Sequence, residues 1–181
     1  MVLRLPTLLL LAGCLKQPAA VTSEAALPVA LGAVLTGVAD GVTAPAADEV
    51  MQRLSAVVSA RALTPRPAAG EALAARPNSA SRVALLAEGG SQGELVVLVE
   101  SSARFFSQMN GRFRWTVEVK ITLAPARDAD RAVADSFEVP VFLQFNHEGE
   151  EEALREGLPV IERRLGALLD SYLLGLAASK G

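Results

Sequence analysis

The chain has 181 residues, is 51% hydrophobic and 20% charged, and carries a formal net charge of −3; this allows one ordinary domain with a real core and excludes two full domains or wholesale disorder. The small, mixed charge forms neither a basic patch nor aromatics interleaved among Lys and Arg in the way nucleic-acid binding favours, so a nucleic-acid partner is not expected. Cys14 is the single cysteine, which excludes an intramolecular disulfide and a cysteine-based zinc cluster.

Residues 1–13 predict a short secretory leader, with Arg4 as its positive charge, Leu8 to Leu11 as its apolar stretch and Ala12-Gly13 as small residues before a cut. The apolar run is too short to span a bilayer. The tetrapeptide Leu11-Ala12-Gly13-Cys14 resembles the bacterial lipobox. That resemblance implies a thiol that is diacylated and becomes the new N-terminus, anchored by methylenes worth about 0.8 kcal/mol each. Leu15, and not Asp, follows the cysteine, so the expected address is the outer membrane, facing the periplasm, with the inner membrane or cell surface as alternatives. Residues 14–26, with Pro18, Ala19, Ala20 and Ser23, read as the lipidated N-terminus and a flexible tether. A single folded domain is expected over 27–178.

Leu27 to Val38 is apolar and partly β-branched, which predicts a strand, and Asp40-Gly41 and Pro45 then predict turns. Asp48 and Glu49 open a run with Val50, Met51, Leu54, Val57 and Val58 at helical spacing. Thr64-Pro65-Arg66-Pro67 allows at most a short edge strand. The Ala-rich stretch over 68–78 predicts a mobile loop or one weak helical turn. Asn78 or Ser79 caps a second helix carrying Val83, Leu85 and Leu86 and ending at Gly89-Gly90. Leu95 to Val99 is apolar in both phases, as in a covered central strand, and continues toward Phe105 and Phe106.

Asn110-Gly111 is a tight hairpin signal. Phe113, Trp115, Val117, Val119, Ile121 and Leu123 then alternate with Arg112, Arg114, Thr116, Glu118, Lys120 and Thr122, which predicts one buried and one wet face. Phe137, Val139, Val141, Leu143 and Phe145 alternate again and form the third strand of a meander, which Pro140 places at an edge or bulge. The acidic run Glu148 to Glu152 opens a long helix with Leu154, Leu158, Ile161, Leu165, Leu168 and Tyr172 on one face, kinked by or starting afresh at Pro159. The sum is an α+β domain: a mixed or antiparallel sheet of about four to five strands, including the meander, packed against two to three helices.

No catalytic constellation and no metal site emerge, so an enzyme is not expected. His147 is the sole histidine and reads as a helix-start residue. The acidic run suits a helix's first turn, and Gly89-Gly90-Ser91 follows a helix and not a strand, which reads as termination and not as a phosphate loop. The residues singled out lie at the hairpin tip: Phe105, Phe106 and Met109 beside Arg104, Arg112 and Arg114. Apolar groups next to guanidinium forks suit a partner interface or an anionic lipid. The plainer alternative is two core phenylalanines and arginines coating the wet face.

The order of elements behind a lipobox resembles the small periplasmic α/β domain of envelope accessory lipoproteins. Similar architectures include the N-terminal domain of the Tol translocation protein, the outer-membrane activators of penicillin-binding proteins, the curli secretion lipoprotein and the lipoprotein of the lipopolysaccharide transport translocon. That resemblance implies a lipid-anchored, non-enzymatic module with no cofactor beyond the lipid on Cys14, docking on an envelope protein partner by its sheet edge or hairpin. The alternative is a periplasmic carrier of lipid or lipopolysaccharide, which requires an apolar cavity between sheet and helices or a basic tip.

Overall fold

A computed structural model describes residues 26–37, 41–88, 90, 94–128, 131–144 and 149–178. The elements are β1 (Pro28–Gly37), β2 (Thr43–Pro45), α1 (Asp48–Ser59), β3 (Thr64–Pro67), α2 (Gly70–Ala74), α3 (Ser79–Ala87), β4 (Leu95–Met109), β5 (Arg112–Pro125), β6 (Val133–Leu143) and α4 (Glu150–Ala178). The fold is α+β, with a mixed six-stranded sheet ordered β2-β1-β4-β5-β6. β1 runs parallel to β4 on one side; on its other side its first half pairs with β3 in parallel and its second half with β2 antiparallel. β4, β5 and β6 form the antiparallel meander.

The doubly apolar character of β1 and of Leu95 to Val99 has a direct cause, because both faces of the sheet are covered there. Leu31, Val97, Ile121 and Leu123 meet α1 and α4 through Leu54, Val58, Leu158, Ile161 and Leu165. From the other face Ala30, Val34, Val96, Leu98 and Ala124 meet Leu73 of α2 and Val83 and Leu86 of α3. α1 and α4 are further clamped by two carboxylate forks, Arg53 on Glu162 and Arg61 on Asp170. The eight-residue step from 53 to 61 matches that from 162 to 170, so the two helices run in the same direction.

The sheet gains β2 over the expected strands, because Pro45, read as a turn residue, ends a short strand against Val34. The Ala-rich stretch holds α2, whose Leu73 is fully buried. α3 is capped by Asn78, whose side chain accepts from the Ser81 backbone at 2.9 Å. The expected wet face of β5 is wet only in part: Thr116 and Thr122 are buried, and α3 packs over the neighbours of Thr122, among them Val96, Leu98 and Ala124. β6 begins at Val133, four residues before Phe137, and Phe145 lies outside the described residues. α4 continues through Pro159. Among the described residues no helix is long and apolar enough to cross a membrane.

Candidate interaction surface at the hairpin end of the sheet

The β4–β5 ladder runs from Leu95 opposite Pro125 to Met109 opposite Arg112, and it closes through Asn110 (φ 51°) and Gly111 (φ 75°). Positive φ at both central residues is the primed turn whose twist matches the strands, which explains the Asn-Gly pair. β1 ends at Gly37 beside Ala103, so the last part of β4 projects past it with β5 and β6. At about 3.3 Å per residue, the tip stands roughly 45 Å from Leu95 along the strand.

A bulge between Phe105 and Ser107 leaves Phe106 without a cross-strand partner. Phe105 packs on Trp115 (ring centroids 5.8 Å) and Phe113 (6.4 Å), on the face that α4 covers nearer the centre of the sheet. Phe106 goes to the opposite face, where the Arg114 guanidinium sits 4.6 Å from its ring centroid. The two phenylalanines are 48% and 58% exposed, so neither is a core residue. The expected single patch is therefore split, because adjacent strand residues point to opposite faces and the bulge adds the second ring to the face of Arg114.

On that second face the strands form ranks read from the register: Glu100-Lys120-Ser136, Ser102-Glu118-Glu138, Arg104-Thr116-Pro140 and Ser107-Arg114-Phe142. The ranks leave the shelter of α3 and end in Phe106, Arg114 and Phe142, the last 49% exposed. Arg104 lies one rank inward and meets Glu118 at 3.2 Å, with both side chains about half exposed. Arg112 is exposed at the tip. Met109 ends β4, and its side chain lies outside the described residues, as do Cys14, His147, Glu148 and Ser91.

Phe142 was not among the expected site residues. Its signal is in the sequence: it falls in the wet phase of β6, between Val141 and Leu143, where a large aromatic has no core to enter. The buried atoms without a hydrogen-bond partner among the described residues include Arg114 Nε and Trp115 Nε1, both at this end of the sheet.

The inner ranks floor an open concavity of about 480 Å³ that includes Arg82, Glu100, Glu118, Lys120 and Glu138. Arg82, Glu100 and Lys120 are linked through Ser79. Arg82 Nη1 donates to Glu100 Oε1 at 2.6 Å, Ser79 Oγ donates to Glu100 Oε2 at 2.5 Å, and Lys120 Nζ donates to Ser79 Oγ at 3.2 Å. Among the described residues no group of three or more His, Cys, Asp or Glu is placed to hold a metal ion.

No protein family and no curated protein matches this chain. Solved structures that resemble it include rare lipoprotein B from Shewanella oneidensis, 10% identical with a TM-score of 0.32, covering 82% of this chain and 95% of that one. Lipoprotein GNA1162 from Neisseria meningitidis is 14% identical with a TM-score of 0.40, covering 84% and 99%. PelC from Paraburkholderia phytofirmans, solved as a dodecamer, is 12% identical with a TM-score of 0.36, covering 80% and 85%. At these values no role passes from those proteins to this chain.

Proposed function

We propose that this chain is a lipid-anchored, non-enzymatic accessory protein of the bacterial cell envelope, at the periplasmic face of the outer membrane, whose domain binds a protein partner through the hairpin end of its sheet. The observation that carries the docking reading is the grouping of the exposed rings of Phe106 and Phe142 with the half-buried Arg114 guanidinium, the composition that favours interface cores. The anchor rests on Leu11-Ala12-Gly13-Cys14 and the leader before it. Pro140 denies the outer strand β6 a backbone donor, a device that blunts sheet edges, so the contact is made by side chains of the face and tip. The space between the sheet and α1 and α4 is filled by Leu54, Leu158, Ile161, Leu165 and Leu169, each at most 1% exposed. A lipid carried inside would have to displace them, which disfavours internal carriage.

The test is purification of the tagged native protein from detergent-solubilised envelopes beside a Phe106→Ser/Phe142→Ser variant, with mass spectrometry of the N-terminal peptide and of co-purifying proteins. The expected result is an acylated Cys14 in both and a stoichiometric protein that only the native chain retains. An unmodified Cys14 would remove the anchor. Identical co-purifying proteins would remove this surface as the docking site.

A further inference from the structure

Resting on the docking reading above, we propose that the hairpin end receives an acidic segment of the partner protein, its carboxylates on Arg112 and Arg114 and its apolar side chains on Phe106 and Phe142. The charge pattern comes first. Arg53, Arg61, Arg66 and Arg82 each meet a carboxylate of another element, and Arg104 meets Glu118. Arg112 and Arg114 have no ion pair among the described residues, as is also true of Arg76, Arg127, Arg163 and Arg164, but they share one phase of β5 beside the exposed Phe106 and Phe142. The unmatched positive charge at this end of the sheet calls for an anionic complement.

Arg114 is also ordered before any partner arrives. The Phe106 ring holds its guanidinium at 4.6 Å. A guanidinium steered by a ring loses little rotamer freedom on pairing, and a carboxylate is the planar acceptor its fork fits. Phe106 and Phe142, on either side of it, supply the apolar area that excludes water around such a pair.

Position selects a protein over lipid as the source of that charge. The chain enters the sheet at Pro28, and Val29 lies beside Leu95, whereas the tip is at the far end of β4. The hairpin therefore extends roughly 45 Å from the entry point, away from the end at which a lipid on Cys14 would hold the domain.

The test uses the full lipidated chain in phosphatidylcholine nanodiscs and a short fluorescein-labelled peptide of alternating glutamate and leucine, read by anisotropy beside its lysine counterpart. The glutamate peptide is expected to bind, with an affinity that falls as salt rises, and the lysine peptide is not. Arg112→Glu/Arg114→Glu is expected to weaken the glutamate peptide at least about tenfold, and Arg112→Gln/Arg114→Gln to weaken it less. Phe106→Ser/Phe142→Ser is expected to weaken it while preserving the salt dependence. Urea midpoints equal to the native one certify that these exposed variants are folded. Equal binding of the two peptides, or undiminished binding by the charge-reversed chain, would overturn the proposal. So would displacement of the peptide by phosphatidylglycerol vesicles, which would assign the surface to membrane. If the peptide fails while Phe106→Ser/Phe142→Ser still loses the native co-purifying protein, the acidic chemistry falls and the docking surface stands.

Discussion

The guanidinium of Arg61 forks onto the carboxylate of Asp170, Nε to Oδ1 at 2.7 Å and Nη2 to Oδ2 at 2.9 Å, while Nη1 donates to the Val57 carbonyl at 3.0 Å. This fork fills the space that a side chain at Gly166 would need, since a Cβ there would overlap Nη2. Glycine inside a helix costs about 1 kcal/mol relative to alanine, so Gly166→Ala has two opposed effects. In an Arg61→Ala background it is expected to stabilise by about 1 kcal/mol; in the native background the gain is smaller or reversed. Urea unfolding of the four proteins in this cycle measures the difference. Equal gains in both backgrounds would show that Arg61 does not contend for that space.

The same fork sets a pH dependence. The hydrogen bond from Arg61 holds the Asp170 carboxyl below its ordinary value, against a desolvation that acts upward. A carboxylate with a lowered folded pKa contributes stability that is fully present above its unfolded pKa, about 3.9, and is lost as pH falls through the folded value. Below about pH 4 the native chain is therefore expected to lose stability more steeply than Asp170→Asn, with parallel curves above about pH 5. Urea midpoints across that range test this, and parallel curves throughout would mean the pair is broken in solution.

Most strands were legible because their periodicity matched their burial. Val117, Val119, Ile121 and Leu123 alternate in sequence and share one covered face, and Asn110-Gly111 names its own turn. What stayed hidden depends on the second layer. Leu73 sits among alanines with no periodicity around it and is buried only because α2 folds back over β1. Thr122 looks solvent-facing until α3 lies over that end of the sheet. The site was half legible for a similar reason: the aromatics and arginines of the tip are visible as a composition, but the bulge after Phe105 decides which ring joins Arg114. Phe142 enters only when β6 is placed in register.

Ala62 adopts φ 56° just beyond α1, with its N–H donating to the Ser59 carbonyl at 3.1 Å. A left-handed conformation costs a residue with a Cβ about 1–2 kcal/mol, which glycine avoids. Glycine gives back about 0.4–1 kcal/mol through the freedom of the unfolded chain. Ala62→Gly is therefore expected to raise stability by roughly 0.5–1 kcal/mol, read as a higher urea midpoint at unchanged slope. A lower midpoint would show that the α1 terminus turns differently in solution.

Arg82 and Glu100 form an ion pair whose side chains are only 9% and 13% exposed. Arg82 also donates to the Leu73 carbonyl and to Thr43 Oγ1, both at 3.3 Å, so one guanidinium ties α3 to α2, β2 and β4. Removing one member of a buried pair leaves the other desolvated, which costs about 3–5 kcal/mol, whereas replacing both with apolar groups is often close to neutral. Arg82→Met is accordingly expected to destabilise by about 3 kcal/mol or more, and Arg82→Met/Glu100→Leu by clearly less than the sum of its single changes. Thermal and urea unfolding of the three variants decide this. A loss below about 1 kcal/mol for Arg82→Met is the behaviour of a surface pair, and it would mean that water from the adjoining open concavity already solvates Glu100.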